Sequence, residues 1–376
     1  MNIIHLIYSF NPGGVEILLT QLTEHLPKGK VHSIFIAYKD GLLRERVEKT
    51  GSEIFIVGSI KKIGVNQKIK RIIREHVPVV VCCHQGITGG FIAPYCRRNH
   101  IPFIQFSHFS YNTPASEQIQ KSKPLYYWID SWSTKRSIKY ASMGIGVSKD
   151  ACESLWGKEY AKKNVEYVNS GIDFSHYNPS NREVGLRNKY KIPKSNIVIV
   201  NVAGYRPEKN YGFFIDVVNE ILKQRKDVTF LMVGEGSERP MMEQKIEGYG
   251  IRDNCVLTGF VDNVPQLLCE VCDIFLFPSL GEGLGLALVE AQAAGLLCYY
   301  SDLVPQEAII NPSLMHPMSL LESKESWANN IIKGIDFAKE HLKNRTKAFE
   351  IAESSAFNIE KVVNNYMRIW ENLLNQ

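Results

Sequence analysis

No apolar run in the sequence approaches the roughly 18 residues of a membrane-spanning helix, which excludes that kind of integral membrane protein. There is no Asp-x-Asp pair, so a divalent cation bridging carboxylates and a diphosphate is not indicated. No metal ligand and no cofactor is therefore assigned. No Gly-x-x-x-x-Gly-Lys-Ser/Thr occurs, which argues against an NTPase. No Gly-x-Gly-x-x-Gly follows the first apolar stretch, which weakens a dinucleotide oxidoreductase. Nothing resembles a base-reading module, so nucleic acid is not an expected partner. Cysteine is present but sparse, at 82, 83, 96, 152, 255, 269, 272 and 298. Cys269 and Cys272 are spaced as a CxxC pair, yet no second pair or His cluster accompanies them. They read as structural thiols in a reducing cytoplasm.

At 376 residues the chain exceeds one ordinary core, and two domains of about 180 residues are expected. Charge is uneven. Residues 1–185 hold 24 Lys+Arg against 15 Asp+Glu, while the remainder holds 20 against 24. A basic first half suggests an anionic partner for that half. The N-terminal Met-Asn-Ile-Ile-His-Leu-Ile-Tyr has no basic region ahead of its apolar run, so it is expected to be a first strand and not a signal peptide.

Buried-strand runs alternate with helical periodicity along the chain. Residues 2–8 read as a strand, 11–14 as a glycine turn and 15–26 as a helix, the first unit of a doubly wound sheet. Strands follow at 31–38, 53–57, 79–83, 102–107, 143–147 and 165–168, with helices between them. A polar connector at 178–194 carries Pro179 and Pro193. A second series starts with strands at 197–202, 228–233, 255–257, 274–277 and 298–300. Helices are predicted over 327–341, 343–355 and 359–374, the last with Val362, Tyr366, Ile369, Trp370 and Leu373 as an apolar stripe. The fold class is α/β, with two Rossmann-like doubly wound parallel-sheet domains. The division is 1–185, 186–357 and a terminal helix 358–376 that crosses back to the first domain. Such tandem domains place a site in a cleft between them, outside the carboxyl ends of the strands.

The most informative stretch is 273–295. An apolar strand runs into glycines at 281, 283 and 285, then into an Ala-rich helix. A helix N-terminus of this kind attracts phosphate. Glu282 on the loop and Glu290 about a turn into the helix add carboxylate acceptors, as sugar-nucleotide binding requires. Gly204-Tyr-Arg206-Pro-Glu208-Lys209-Asn follows another strand, and its cations Arg206 and Lys209 suit a pyrophosphate; a solvated turn is the plain alternative. His84 and His108 each end a first-domain strand, and position favours His108. The basic helix around 67–76 and the aromatic-basic stretch 125–139 suit a membrane surface or a lipid-linked acceptor. A solvated helix face and a packed helix account for them more simply.

These motifs meet a known family. Glu282-Gly283-Leu284-Gly285-Leu286 followed by Glu290-Ala291 resembles the Glu-x7-Glu signature of retaining GT-B glycosyltransferases of family 4. Gly13-Gly14-Val15-Glu16 resembles that family's N-terminal glycine loop. Val147-Ser148 and Asn169-Ser170-Gly171-Ile172-Asp173 resemble its strand-end motifs, and Val233-Gly234-Glu235-Gly236 its Gly-Asp-Gly loop, in order along nearly the whole chain. Trp156-Gly157 resembles the exopolysaccharide and capsule branch. Three departures stand out. The position five before Lys209, where the family's arginine commonly stands, is Gly204, and Arg206 stands three before. Ser170 replaces a usual glycine, and Ala287-Leu288 stand where a Pro-x pair is frequent.

The resemblance implies roles. Glu282 would bind donor-sugar hydroxyls and Glu290 the ribose. Arg206 and Lys209 would neutralise the leaving diphosphate in place of a metal. Backbone groups near Gly13, Gly14, Gly204 and 283–286 would cradle sugar and phosphate. Phe260 and Val261 would lie by the base, and His108 by the donor sugar. The implied partners are a nucleotide-sugar donor, foremost a UDP-sugar, and a glycan or lipid-linked acceptor read by loops near 109–123. The implied place is the cytoplasm, with peripheral association at the inner membrane surface left open. A front-face route, with the leaving phosphate oxygen taking the acceptor's proton, is the expected retaining mechanism. A sugar-nucleotide 2-epimerase and an inactive nucleotide-binding partner subunit are the alternatives.

Overall fold

The computed structural model describes residues 1–60, 62–110, 114, 121, 124–179, 185–341 and 345–375. The chain forms two compact units, one of residues up to Ile172 with those from Ala356 onward, the other of Asp173–Ser355.

The first unit contains seven parallel strands: β1 (Asn2–Ser9), β2 (His32–Lys39), β3 (Glu53–Ile56), β4 (Val79–Cys83), β5 (Phe103–Ser107), β6 (Met143–Gly146) and β7 (Val165–Tyr167). Their order is β3-β2-β1-β4-β5-β6-β7, so the winding direction reverses between β1 and β4. β4 and β5 are buried at every residue; β4 therefore reads as an unbroken apolar run, while β5 also buries Gln105 and Ser107. Crossover helices are α1 (Gly14–His25), α2 (Arg44–Glu48), α3 (Val65–Glu75), α4 (Gly86–Arg98), α5 (Pro124–Tyr140) and α6 (Lys149–Trp156). α3 buries Val65, Ile69, Ile72 and Ile73 and turns Lys68, Arg71 and Arg74 to solvent, so its basic residues are an ordinary solvated face. α6 starts where Ser148 Oγ accepts a hydrogen bond from the Ala151 N–H at 3.0 Å.

α5 departs from the packed aromatic helix expected of its sequence. Its small polar residues Ser133, Thr134 and Ser137 are buried, and Leu125, Trp128 and Trp132 are exposed. The reason lies on α4. A side chain at Gly90 would collide with Ser133, so the two helices approach at a distance only small residues permit. The acceptor loop expected over 109–123 lies largely outside the described residues.

The second unit contains six parallel strands: β8 (Ile197–Val202), β9 (Val228–Val233), β10 (Cys255–Gly259), β11 (Ile274–Phe277), β12 (Leu297–Ser301) and β13 (Met315–Met318). Their order is β10-β9-β8-β11-β12-β13, reversing between β8 and β11. The helices are α7 (Leu186–Lys189), α8 (Tyr211–Gln224), α9 (Arg239–Tyr249), α10 (Val264–Glu270), α11 (Leu286–Ala293), α12 (Lys324–His341) and α13 (Thr346–Ser354). Neither β13 nor α7 is apparent in the sequence. β13 carries Pro317 and two exposed residues, which an edge strand tolerates.

The final helix, α14 (Ile359–Leu374), belongs to the first unit, and all five residues of its predicted stripe are buried. They join the core beneath β1 and β4, each side chain contributing about 1.5–3 kcal/mol of burial. The chain leaves the first unit at Ile172 and enters the second at Asp173, ahead of the polar connector at which the sequence suggests division. Phe174 and Tyr177 already pack in the second unit, where the Tyr177 carbonyl accepts from Cys269 Sγ at 3.7 Å.

Candidate active site

In the second unit the winding reversal brings two loops together, the one after β8 and the one after β11. The Leu280 N–H donates to the Glu208 carbonyl at 2.9 Å and ties them. Across this junction Lys209 Nζ donates to both carboxylate oxygens of Glu282, at 2.6 and 2.8 Å. Ser279 Oγ donates to the same carboxylate at 2.6 Å. Both charged side chains are about nine-tenths buried. A charge removed from water needs such pairing, and each partner thereby fixes the other's position. One Nζ donor and further carboxylate lone pairs remain for a ligand. Arg206 sits beside them, 58% exposed, with Nε 3.1 Å from Glu208.

The glycine loop after β11 ends at Gly285, whose φ of +89° only glycine adopts without strain. Gly285 caps α11, so the helix begins with unpaired backbone N–H groups beside the Lys209–Glu282 pair. Gly283 and Leu284 are buried, and Leu286 is half-buried at the first position of α11. One turn on, Glu290 is surrounded by protein yet keeps part of its surface open to solvent, as a group lining a concavity does. Burial pushes its carboxyl up to about 7, and the nearby Tyr177 hydroxyl offsets part of that rise. The Tyr177 hydroxyl itself has no partner in hydrogen-bond geometry.

A third loop, after β9, closes in from the side. The Tyr205 N–H donates to the Glu235 carbonyl at 2.9 Å, and Glu238 N–H to the Tyr205 carbonyl at 3.0 Å. A side chain at Gly236 would collide with the Tyr205 backbone, so the glycine there is what lets the loops meet. Gly204 lies in the same turn, where a Cβ would meet Arg206 Nε at 3.5 Å, an ordinary van der Waals contact. Phe260, past the end of β10, is 49% exposed, and Val261 is half-buried.

The first unit has its own reversal, between β1 and β4. Gly13 caps α1 and Gly14 is its first residue, so this helix also opens on free N–H groups. His84 and His108 follow β4 and β5, and their rings meet: His84 Nδ1 lies 2.8 Å from His108 Nε2. A third ring, unnoticed in the sequence, completes a column. His5, inside β1, places Nδ1 3.2 Å from His84 Nε2. Burial lowers the pKa of all three, His5 to about 3 and His108 to about 4, so they are neutral imidazoles.

The structure thus brings Arg206, Lys209, Glu282, Gly283, Leu284, Gly285, Leu286 and Glu290 to one end of the second sheet, and Gly13, Gly14 and His108 to the end of the first. Sequence reasoning missed Ser279, Tyr177 and His5. Ser279 had a signal, three residues before Glu282 at a strand end; His5, within a strand of apolar residues, had none. The CxxC pair is part of the packing. The Cys269 and Cys272 carbonyls accept from the buried Arg345 guanidinium at 2.8 and 2.6 Å. All eight cysteines are buried.

Comparison with known proteins identifies the family and the fold. Residues 185–333 match the family model "Glycosyl transferases group 1", and residues 12–176 match "Glycosyltransferase Family 4". A Klebsiella pneumoniae protein described as an uncharacterized 41.2 kDa protein in the cps region is 28% identical, over 99% of both chains. An Escherichia coli protein is 20% identical over 86% of this chain and 85% of its own. It is named UDP-Gal:alpha-D-GlcNAc-diphosphoundecaprenol alpha-1,3-galactosyltransferase. Among solved structures, Anabaena Alr3699/HepE in complex with UDP-glucose superposes with a TM-score of 0.81, at 16% identity, over 99% of this chain and 100% of that one.

Proposed function

The chain belongs to the family 4, group 1 glycosyltransferases, and from that premise we propose that it transfers a hexose from a UDP-sugar to a glycan or lipid-linked acceptor in surface-polysaccharide biosynthesis. The observation that carries this reading is the Lys209–Glu282 pair, bound at the winding reversal next to the glycine-capped start of α11. A cation, a carboxylate and free backbone N–H groups at one point are what a diphosphate sugar needs.

Lys209 and Arg206 take the negative charge that builds on the departing diphosphate, and the N–H groups at the start of α11 take its oxygens. This removes the need for a metal ion, so chelation by EDTA should leave the rate unchanged. Glu282, held by Lys209 and Ser279, accepts from hydroxyls of the donor sugar. Glu290 accepts from the ribose, Phe260 and Val261 border the base, and Gly204 leaves room at the phosphates. In the first unit Gly13 and Gly14 face the sugar with backbone N–H groups, and His108 hydrogen-bonds one of its hydroxyls.

Among the described residues neither unit places a carboxylate with the marks of a covalent nucleophile, which supports a front-face course with retention. The glycosidic C–O bond to the phosphate breaks as the acceptor oxygen bonds the same face of the anomeric carbon. The acceptor's proton passes to the leaving phosphate oxygen. The anomeric configuration of the product, read by NMR, tests this step. The exposed Leu125, Trp128 and Trp132 of α5, with Arg136 over the Trp132 ring at 5.5 Å, suit peripheral contact with the inner membrane surface, which co-sedimentation with anionic vesicles tests. The decisive screen measures thermal stabilisation and sugar turnover with UDP-, GDP-, ADP- and TDP-sugars. UDP-sugars should stabilise most, and no response to any of the four would overturn the reading.

A further inference from the structure

The histidine column of the first unit has only two internal contacts. His5 Nδ1 meets His84 Nε2 at 3.2 Å, and His84 Nδ1 meets His108 Nε2 at 2.8 Å. Aromatic rings fix the planes. His5 stacks on Phe35 at 5.0 Å, His84 on Phe106 at 4.3 Å, and His108 lies nearly parallel to Phe106 at 5.6 Å. Two nitrogens are left over. His5 Nε2 is fully buried and has no hydrogen-bond partner. His108 Nδ1 is the other, on a half-buried residue.

Counting protons leaves two arrangements. Three neutral imidazoles carry three N–H protons, one each, and each nitrogen–nitrogen contact requires one. If His5 donates from Nδ1, then His84 must donate from Nδ1 to His108 Nε2, and the third proton rests on His108 Nδ1. If the direction is reversed, the third proton rests on His5 Nε2. The reversed arrangement buries an N–H with no acceptor, whereas the first leaves only a bare lone pair there. An orphaned buried donor is the rarer and costlier of the two. The column therefore has a direction, set at its buried end and expressed at its other end.

We propose that His5 and His84 are positioning residues that hold His108 as the Nδ1–H tautomer, so that its remaining nitrogen is an obligate hydrogen-bond donor towards an oxygen of the donor sugar. This rests on the reading above that His108 touches that sugar. In this state His108 has no free lone pair, so it acts as a fixed donor and not as a general base. The hydrogen bond made by one ring nitrogen decides what the other can do, here passed through two rings.

The test uses the full-length protein labelled with 15N-histidine. At neutral pH, long-range proton–nitrogen correlations should show His108 with a protonated Nδ1 and a bare Nε2. The opposite tautomer in the wild-type protein overturns the proposal. His84→Phe keeps a stacked ring but removes both contacts. It should let His108 move towards Nε2–H and lower kcat roughly tenfold to hundredfold, with donor KM within about twofold. His84→Asn places an amide where Nδ1 stood, able to donate to His108, and should restore the tautomer and most of the rate. If both variants lose rate alike while His108 keeps its Nδ1 proton, the residues are only packing and the proposal fails. His108→Ala separates the two readings. Wild-type turnover in that variant removes His108 from the site, while the wild-type spectrum alone still decides the tautomer, even if the His84 variants do not fold.

Discussion

Both units put their candidate groups at the same topological place, where strand order reverses, yet furnish it with opposite kinds of side chain. The second unit uses ionisable side chains: the charged Lys209 clasped by Glu282, Arg206 by Glu208, and Glu290, whose carboxyl is raised to about 7. The first unit uses neutral rings, His5, His84 and His108, kept uncharged by burial. The lesson is that doubly wound topology supplies a crevice with backbone N–H groups and nothing more. What the crevice does depends on whether the side chains at the strand ends carry charge or only a directed proton.

The comparison breaks most sharply at Lys209. Lys209→Ala should lower kcat/KM roughly a thousandfold and destabilise the protein by about 3 kcal/mol, because it leaves Glu282 as a buried uncompensated carboxylate. Glu282→Gln added to it should recover stability but not turnover. Initial rates with thermal unfolding of the single and double variants check both, and additive losses would mean the pair is not coupled.

pH separates the units by sign. The histidines take up protons in the unfolded chain near 6.5 but resist them when folded. Stability therefore falls as pH drops from about 6.5 towards 4. Glu290 keeps its proton when folded up to about 7, while the unfolded carboxyl ionises from about 4.5, so its contribution falls as pH rises through that window. Each effect is on the order of a few kcal/mol at most. His5→Phe should flatten the acid limb and Glu290→Gln the opposing one, in urea titrations across pH. Identical pH profiles for the two variants would remove the distinction.

Two smaller effects sharpen it further. If Glu290 accepts from the ribose through both carboxylate oxygens it must be ionised there, so nucleotide binding should strengthen as pH rises through 7 and release a proton, and Glu290→Gln should weaken UDP about tenfold. Calorimetry in buffers of different ionisation enthalpy reads the proton directly. Arg206 is largely solvent-exposed, so Arg206→Ala should cost about tenfold in rate at low salt and less at high salt. A salt-independent loss would mean that Arg206 acts from a desolvated position.

Much of this was legible in the chain. Buried parallel strands are apolar throughout, so 79–83 and 274–277 announce themselves, and glycines at 281, 283 and 285 ahead of an Ala-rich helix announce the loop. The apolar stripe of the terminal helix gave its buried face, because helical period and burial are tied residue by residue. Less legible were features that depend on a neighbour distant in sequence. The aromatics of α5 look like a packing face until Gly90 is seen to admit Ser133 in their place. Edge strand β13 has too little apolar pattern to be seen, and Cys269 and Cys272 look like a motif until Arg345 is found on their carbonyls.

The sequence by itself determined the parallel α/β architecture, the positions of Arg206, Lys209, Glu282 and Glu290, and the family that those spacings resemble, because local pattern and short loops carry that information. Only the tertiary structure decided that Lys209 and Glu282 hold each other across two loops, that Glu290 lies deep enough for its carboxyl to be raised, and that His5 stands behind His84 and His108. Each of these is a matter of distance and burial between segments brought together by the order of strands in a sheet, which the order of residues in a chain does not state.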